Sequence, residues 1–224
     1  MSKTKRVTIT LTQEQQDKAR TLSKELFGKE NISGFFGFLI ERWVKQDALP
    51  EDQIILGSEV IVSDPSYEVP TWCQEIIKNV RPGVYNTEVD YRKHNCYGER
   101  IHSLTVLHEI IKRPVWKHHS NNIGVHTGQA GVFCMTSYRN DDIVGNLPWL
   151  TEKGYPFGNH PYPVKEEGQQ WYVKMCDRTL TEKGWGTYDT GVVSSSGYGD
   201  GTYELLVTEM DGMIHGFKII FILI

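Results

Sequence analysis

Three side chains in this sequence carry chemistry suited to holding a cation or a polar ligand. They are Asp64, His126 and Asp200, two carboxylates and an imidazole, and the hydroxyls of Ser196 and Tyr203 lie close to Asp200 in the chain. Carboxylate oxygens and imidazole nitrogens both bind divalent ions, and both pair with polar groups. Their spacing does not require that they meet. The same residues also fit a purely architectural role. Gly197-Tyr198-Gly199-Asp200-Gly201 supplies glycines able to take positive φ angles, with Asp200 bonding the backbone of its own turn between two strands. His118 and His119 are neighbours, which on a strand face opposite ways and so do not share a ligand. Cys73, Cys96, Cys134 and Cys176 are widely spaced with no C-x-x-C, and are expected as reduced, mostly buried thiols. The chain shows no nucleophile elbow, P-loop, H-E-x-x-H or paired catalytic carboxylates. No catalytic residue, cofactor or metal is expected.

The elements that must position these groups fall into two regions. Arg6-Val7-Thr8-Ile9-Thr10-Leu11 alternates polar and apolar residues, placing Val7, Ile9 and Leu11 on one face of a strand. Thr12 and Gln15 have capping-box spacing and open a helix in which Ala19, Leu22 and Leu26 recur, ended by Gly28. A second helix is expected from about Gly34 to Lys45, capped by Ser33, with an aromatic-rich apolar face. One strand and two short helices leave an unpaired edge and too little core, so a dimer with paired strands is the economical solution. Charge divides at the same place. Residues 1–46 hold nine Lys/Arg against five Asp/Glu, or +4; the remainder has 15 against 23, or −8. A basic head on an acidic body is the arrangement expected where only the head meets phosphates.

Asp47-Ala48-Leu49-Pro50-Glu51-Asp52-Gln53 breaks the helical pattern, and residues 47–56 read as a linker to a body over 57–224. Short Val-, Ile-, Tyr- and Thr-rich runs punctuated by Gly, Pro and Asn predict strands over 59–63, 83–89, 101–111, 124–125, 131–135, 170–176, 191–194, 201–208 and 214–222. Thr71–Asn79 reads as a short helix, and 137–167 as a long loop. The expected fold class is α+β: an N-terminal dimerisation module plus a mainly antiparallel, sandwich-like β domain. No run of eighteen apolar residues occurs, so a cytoplasmic protein without membrane contact is expected.

The pattern Lys5-Arg6-Val7-Thr8-Ile9-Thr10-Leu11-Thr12 followed by two short helices resembles the ribbon-helix-helix family of Arc- and MetJ-type repressors. The resemblance covers residues 1–46 and implies a homodimer whose paired strands enter the major groove of double-stranded DNA. Lys5, Arg6, Thr8 and Thr10 are then candidate DNA contacts. Arg6 has a guanidinium that bonds guanine bidentately, and the threonines offer a hydroxyl and a methyl. Ser33 and Gly34 would present helix N-terminal N–H groups to a phosphate. The glycines at 34 and 37 depart from the family pattern. In the body, Val62–Tyr67, Arg81–Tyr85, Gly124–Gln129 and Ser195–Tyr203 resemble, in order, signatures of a bacterial and phage domain family of unknown function, the last as S-G-x-G-D-G-x-Y. His126 stands where that family has aspartate, which weakens a hard-cation site because calcium and magnesium want oxygen ligands. That resemblance implies a fold and no activity.

The expected function is a dimeric DNA-binding regulator from a phage or mobile element, whose body senses a ligand or partner. The alternative is a non-enzymatic, host-inhibiting binding factor in which the first module only dimerises. A host protein or a toxin are the candidate protein partners, the toxin by analogy with antitoxins that carry such modules.

Overall fold

The structure is a computed structural model that describes residues 12–27, 30, 32, 36, 49–143 and 167–223. The chain divides into two compact units, Met1–Ala48 and Leu49–Ile224. In the first, helix α1 runs over Gln13–Phe27. The expected capping box is formed: Gln15 N–H donates to Thr12 Oγ1 at 3.2 Å and Thr12 N–H to Gln15 Oε1 at 3.0 Å, meeting donors the helix start leaves free. Ala19 and Ser23 are buried, while Leu22 is exposed. Ile32 and Phe36 are helical, the first of them ahead of the start expected at Gly34. The strand expected over 6–11, and Lys5, Arg6, Thr8, Thr10, Ser33 and Gly34, lie outside the described residues.

The second unit is two antiparallel sheets. One is six-stranded, in the order β1 (Gln53–Leu56), β4 (Gly83–Lys93), β5 (Glu99–His108), β11 (Met213–Ile220), β10 (Gly201–Met210), β6 (Trp116–Val125). The other is five-stranded: β3 (Glu75–Ile77), β2 (Val60–Ser63), β7 (Gln129–Cys134), β9 (Gly191–Ser195), β8 (Trp185–Tyr188). The β-rich antiparallel body expected from the sequence is what the chain forms. Three local readings are corrected. The supposed linker contains β1, whose Ile54 and Leu56 are fully buried and which pairs with β4. The helix expected over 71–79 is a turn followed by β3. Gln74 Oε1 does accept the Thr71 N–H at 2.8 Å, as in a capping box, but Glu75–Ile77 then pair with β2. The strand expected over 170–176 is instead helix α2, Gln169–Thr179. Its buried residues are Trp171, Val173 and Met175; burial on more than one side of the helix imitates the period-two alternation of a strand.

The sheets pack face to face around one core that takes Leu104, Val106, Leu205, Phe217 and Ile219 from the first sheet and Val60, Val62, Val132 and Val192 from the second. Residues of opposite parity on the second sheet, Ile61, Phe133 and Val193, point outward and are covered by Trp171 and Met175 of α2 with Tyr138. All six residues of β7 are buried because both its faces are covered. Gly168, directly before helix α2, has no side chain to cap it. Asp141 supplies the oxygens from a distant turn, accepting the Gly168 N–H at 3.0 Å and the Trp171 N–H at 2.8 Å. A carboxylate there also opposes the positive end of the helix dipole. Among the described residues no helix is long and apolar enough to cross a membrane.

Two histidines of β5 are buried in the six-stranded sheet. His108 lies edge-on to Tyr85, with ring centroids 5.0 Å apart, and a Cβ at Gly83 would sit 2.6 Å from its Nε2. Burial holds the imidazoles of both His102 and His108 below the usual histidine range. The unfolded chain, titrating near pH 6.5, therefore takes up protons before the folded one does. Their contribution to stability is complete above about pH 6.5 and is lost as the pH falls toward the lower folded values. Urea denaturation at pH 7.5 and 5.5 is expected to give the lower unfolding free energy at pH 5.5, with a smaller difference in His108→Gln. Separately, Asp141→Ala removes the remote cap and is expected to cost about 1–2 kcal/mol. Hydrogen exchange should place that loss in α2 and leave β10–β11 protected.

Candidate functional site

Asp64 follows β2 directly and is fully buried. Its carboxylate accepts four hydrogen bonds: Oδ1 from the Ser66 N–H and the Thr127 hydroxyl, each at 2.8 Å, and Oδ2 from the N–H groups of His126 and Thr127, each at 2.8 Å. A buried carboxylate has about four acceptor positions, and these bonds occupy them. The Asp64 carbonyl lies 3.0 Å from the Tyr138 hydroxyl and takes the Ser63 hydroxyl at 2.7 Å. Asp64 thus ties the segment after β2 to the turn between β6 and β7. It is an organiser of the site, with no oxygen left over for a cation.

That turn is joined in the same way to the turn between β9 and β10. Asp200 Oδ1 accepts the Gly128 N–H at 3.1 Å, and the Ser196 N–H donates to the Gly128 carbonyl at 2.9 Å. The bond expected from Asp200 to its own turn is replaced by this one across to the neighbouring turn. Within 196–199 the closure comes from Ser196, whose hydroxyl donates to the Gly199 carbonyl at 2.7 Å, and from the Tyr203 hydroxyl, 2.5 Å from the same carbonyl. Gly197 and Gly199 do take positive φ, 64° and 105°. His126 Nδ1 lies 3.8 Å from Asp200 Oδ2, and both side chains are largely exposed.

The five residues Asp64, His126, Ser196, Asp200 and Tyr203 are therefore brought to one set of loops. Only His126 and Asp200 present side chains outward; Ser196 and Tyr203 are buried. Sequence reasoning missed Thr127, Tyr67 and Tyr172. Burial, the nearby Cys73 thiol and the charges of Asp64 and Asp200 push the Tyr67 phenol up to about 12. Burial also raises that of Tyr172, which bonds Thr127. Both remain protonated near neutral pH. The one available signal was the position of Thr127 directly after His126. Among the described residues no three His, Cys, Asp or Glu side chains are grouped to hold a metal.

Beside the joined turns, Gly128, Ser196 and Gly199 border a cleft of about 330 Å³ that Tyr91, Arg100 and Lys183 also line. A second cleft of about 470 Å³, lined by Trp185, Arg178 and Glu51, shares Glu182 and Lys183 with it. Both sizes fall within the usual range for small-molecule sites.

Replacing Asp64 with asparagine sets an amide NH2 among N–H donors in a buried place, and is expected to cost about 3 kcal/mol. Asp200→Asn, at an exposed position, should cost less than about 1 kcal/mol. Chemical denaturation of the two variants compares them directly, and equal losses would remove Asp64 from its organising role. No family model, curated protein or solved structure matches this chain.

Proposed function

We propose that the protein is a homodimeric DNA-binding regulator in which residues 1–46 hold double-stranded DNA and the β-rich body receives a ligand or partner. The observation that carries this reading is the segregation of charge, +4 over residues 1–46 against −8 over the rest. Phosphates attract the first region and repel the second. The polar–apolar alternation over residues 6–11 and the capping box at Thr12 and Gln15 fit the same reading. So does the exposed Leu22 on α1, an apolar side chain of the kind a dimer would cover. The phage or mobile-element setting rests on the resemblance of the body's signatures alone.

A second reading takes the body as the working part of a binding factor that acts on a host component, with the first module only dimerising it. The clefts beside the joined turns support it, since they are complete within 49–224.

Titration of the full chain against random duplex DNA at two salt concentrations, beside a chain beginning at Leu49, separates the two. The first reading expects salt-sensitive binding that the shorter chain lacks, because phosphate contacts release counterions. On a selected operator, Arg6→Ala should then weaken binding by about 1–3 kcal/mol without dissociating the dimer. Absence of binding by the full chain at low salt would reduce residues 1–46 to a dimeriser.

A further inference from the structure

The geometry points to a saccharide-binding groove on the body, formed by the two clefts that flank the Glu182-Lys183-Gly184 turn and suited to uncharged pyranose units. It rests on the reading of the body as a ligand receiver and gives that ligand a chemical class.

The first support is a row of aromatic rings in fixed positions. Tyr91 is 39% exposed, yet its hydroxyl donates to the Lys183 carbonyl at 2.6 Å and bonds the Trp185 side chain. One ring of each cleft is thus tied to the other through that hydroxyl. Tyr198 is 55% exposed and also lines the first cleft, in edge-to-face contact with Tyr97 and His94 at centroid distances of 5.6 and 5.8 Å. Tyr91 and Tyr198 are exposed rings with a bond or ring contact on one side, and Trp185 is half-buried against the core; rings placed so favour a ligand with apolar faces of its own.

The second support is the charge around the rings. In the first cleft Glu99 and Glu182 balance Arg100 and Lys183; in the second, Glu51, Asp177 and Glu182 outnumber Arg178 and Lys183. Lys183 is already paired with Glu51 at 3.0 Å. A phosphate or a polyanion would meet no net positive field there, on a body whose own charge is −8. A purely apolar ligand would strip water from five or more ionic groups without replacing their hydrogen bonds. A pyranose ring matches both features. Its C–H faces lie on tyrosine or indole rings, and its vicinal hydroxyls pair with the planar ends of arginine and glutamate, which offer two donors or two acceptors side by side. Arg178 lines the second cleft and carries the planar donor fork that such pairing uses. Two clefts sharing one turn suit a chain of at least two units.

The test is direct binding to the full chain in the absence of DNA. The probes are uncharged oligosaccharides, namely maltohexaose, cellohexaose, xylohexaose, mannohexaose and chitohexaose, followed by isothermal calorimetry and ligand-observed NMR. Saturable binding of at least one is expected. Tyr198→Ala, at an exposed position that spares the core, should weaken it about tenfold, the scale of a lost aromatic contact. Arg178→Gln should weaken it as well, whereas His119→Ala, outside both clefts, should leave it unchanged. No saturable binding to any of the five overturns the proposal, as does binding that Tyr198→Ala and Arg178→Gln leave intact. A single-stranded oligonucleotide that binds where the sugars do not would also overturn it. Loss of duplex-DNA binding by the N-terminal module has no bearing on this measurement, so the two readings fail separately.

Discussion

The loop end of the body depends on one buried anion. Asp64 has no contact with water, and a carboxylate in that position is tolerable only if its oxygens are met by donors. Two backbone N–H groups of the β6–β7 turn, one of its own loop and one threonine hydroxyl supply them. The chain pays for this burial by fixing His126 and Thr127, and through Gly128 it fixes Asp200 and the glycine turn after β9. Each later feature of the loops inherits its position from that satisfied charge.

This hierarchy separates organisation from recognition. Asp64, Ser196 and Tyr203 act inward, held by backbone partners and, for Asp64, the Thr127 hydroxyl as well. What faces solvent is a second tier: His126, Asp200, and the rings and ionic groups of the adjoining clefts. Polar residues packed with glycines in a sequence therefore mark where a site is built, while the groups that meet a ligand lie a few residues away or on other strands. Tyr91 and Trp185, for example, are in β4 and β8, strands other than the two that flank the glycine turn.

Much of the body was legible in the sequence because its strands are apolar runs ended by turn residues, as in 60–63, 129–134 and 201–210. Three short strands, and residues 116–123 of β6, were not. Ile54-Ile55-Leu56 follows a proline and acids that read as linker, Glu75-Ile76-Ile77 follows a Thr-x-x-Gln pair that imitates a helix start, and Trp185–Tyr188 has only four half-buried residues. Each is defined by the neighbour it pairs with, which a local pattern does not contain. Helix α2 was hidden for a related reason, since the Asp141 that caps it stands 27 residues before its first bonded amide. At the site, the residue types pointed to loops that the fold brings together, but the direction each side chain takes depends on bonds such as that of Asp200 to Gly128, between separate turns.

The doubly covered strand β7 bears on the order in which the body assembles. In the six-stranded sheet, β4–β5 and β10–β11 are hairpins between neighbours in the chain, whose closure costs little entropy. Strand β7 has no such partner: Val60 meets Cys134 on one side and Phe133 meets Gly191 on the other, both across long stretches of chain. A side chain at Gly131 would run into Phe133 and the Val192 carbonyl, so β7 fits only a sheet already close to its final spacing. Non-local pairing of this kind forms slowly. The loop end anchored on β2 and β7 is therefore competent only once these long-range pairings are made.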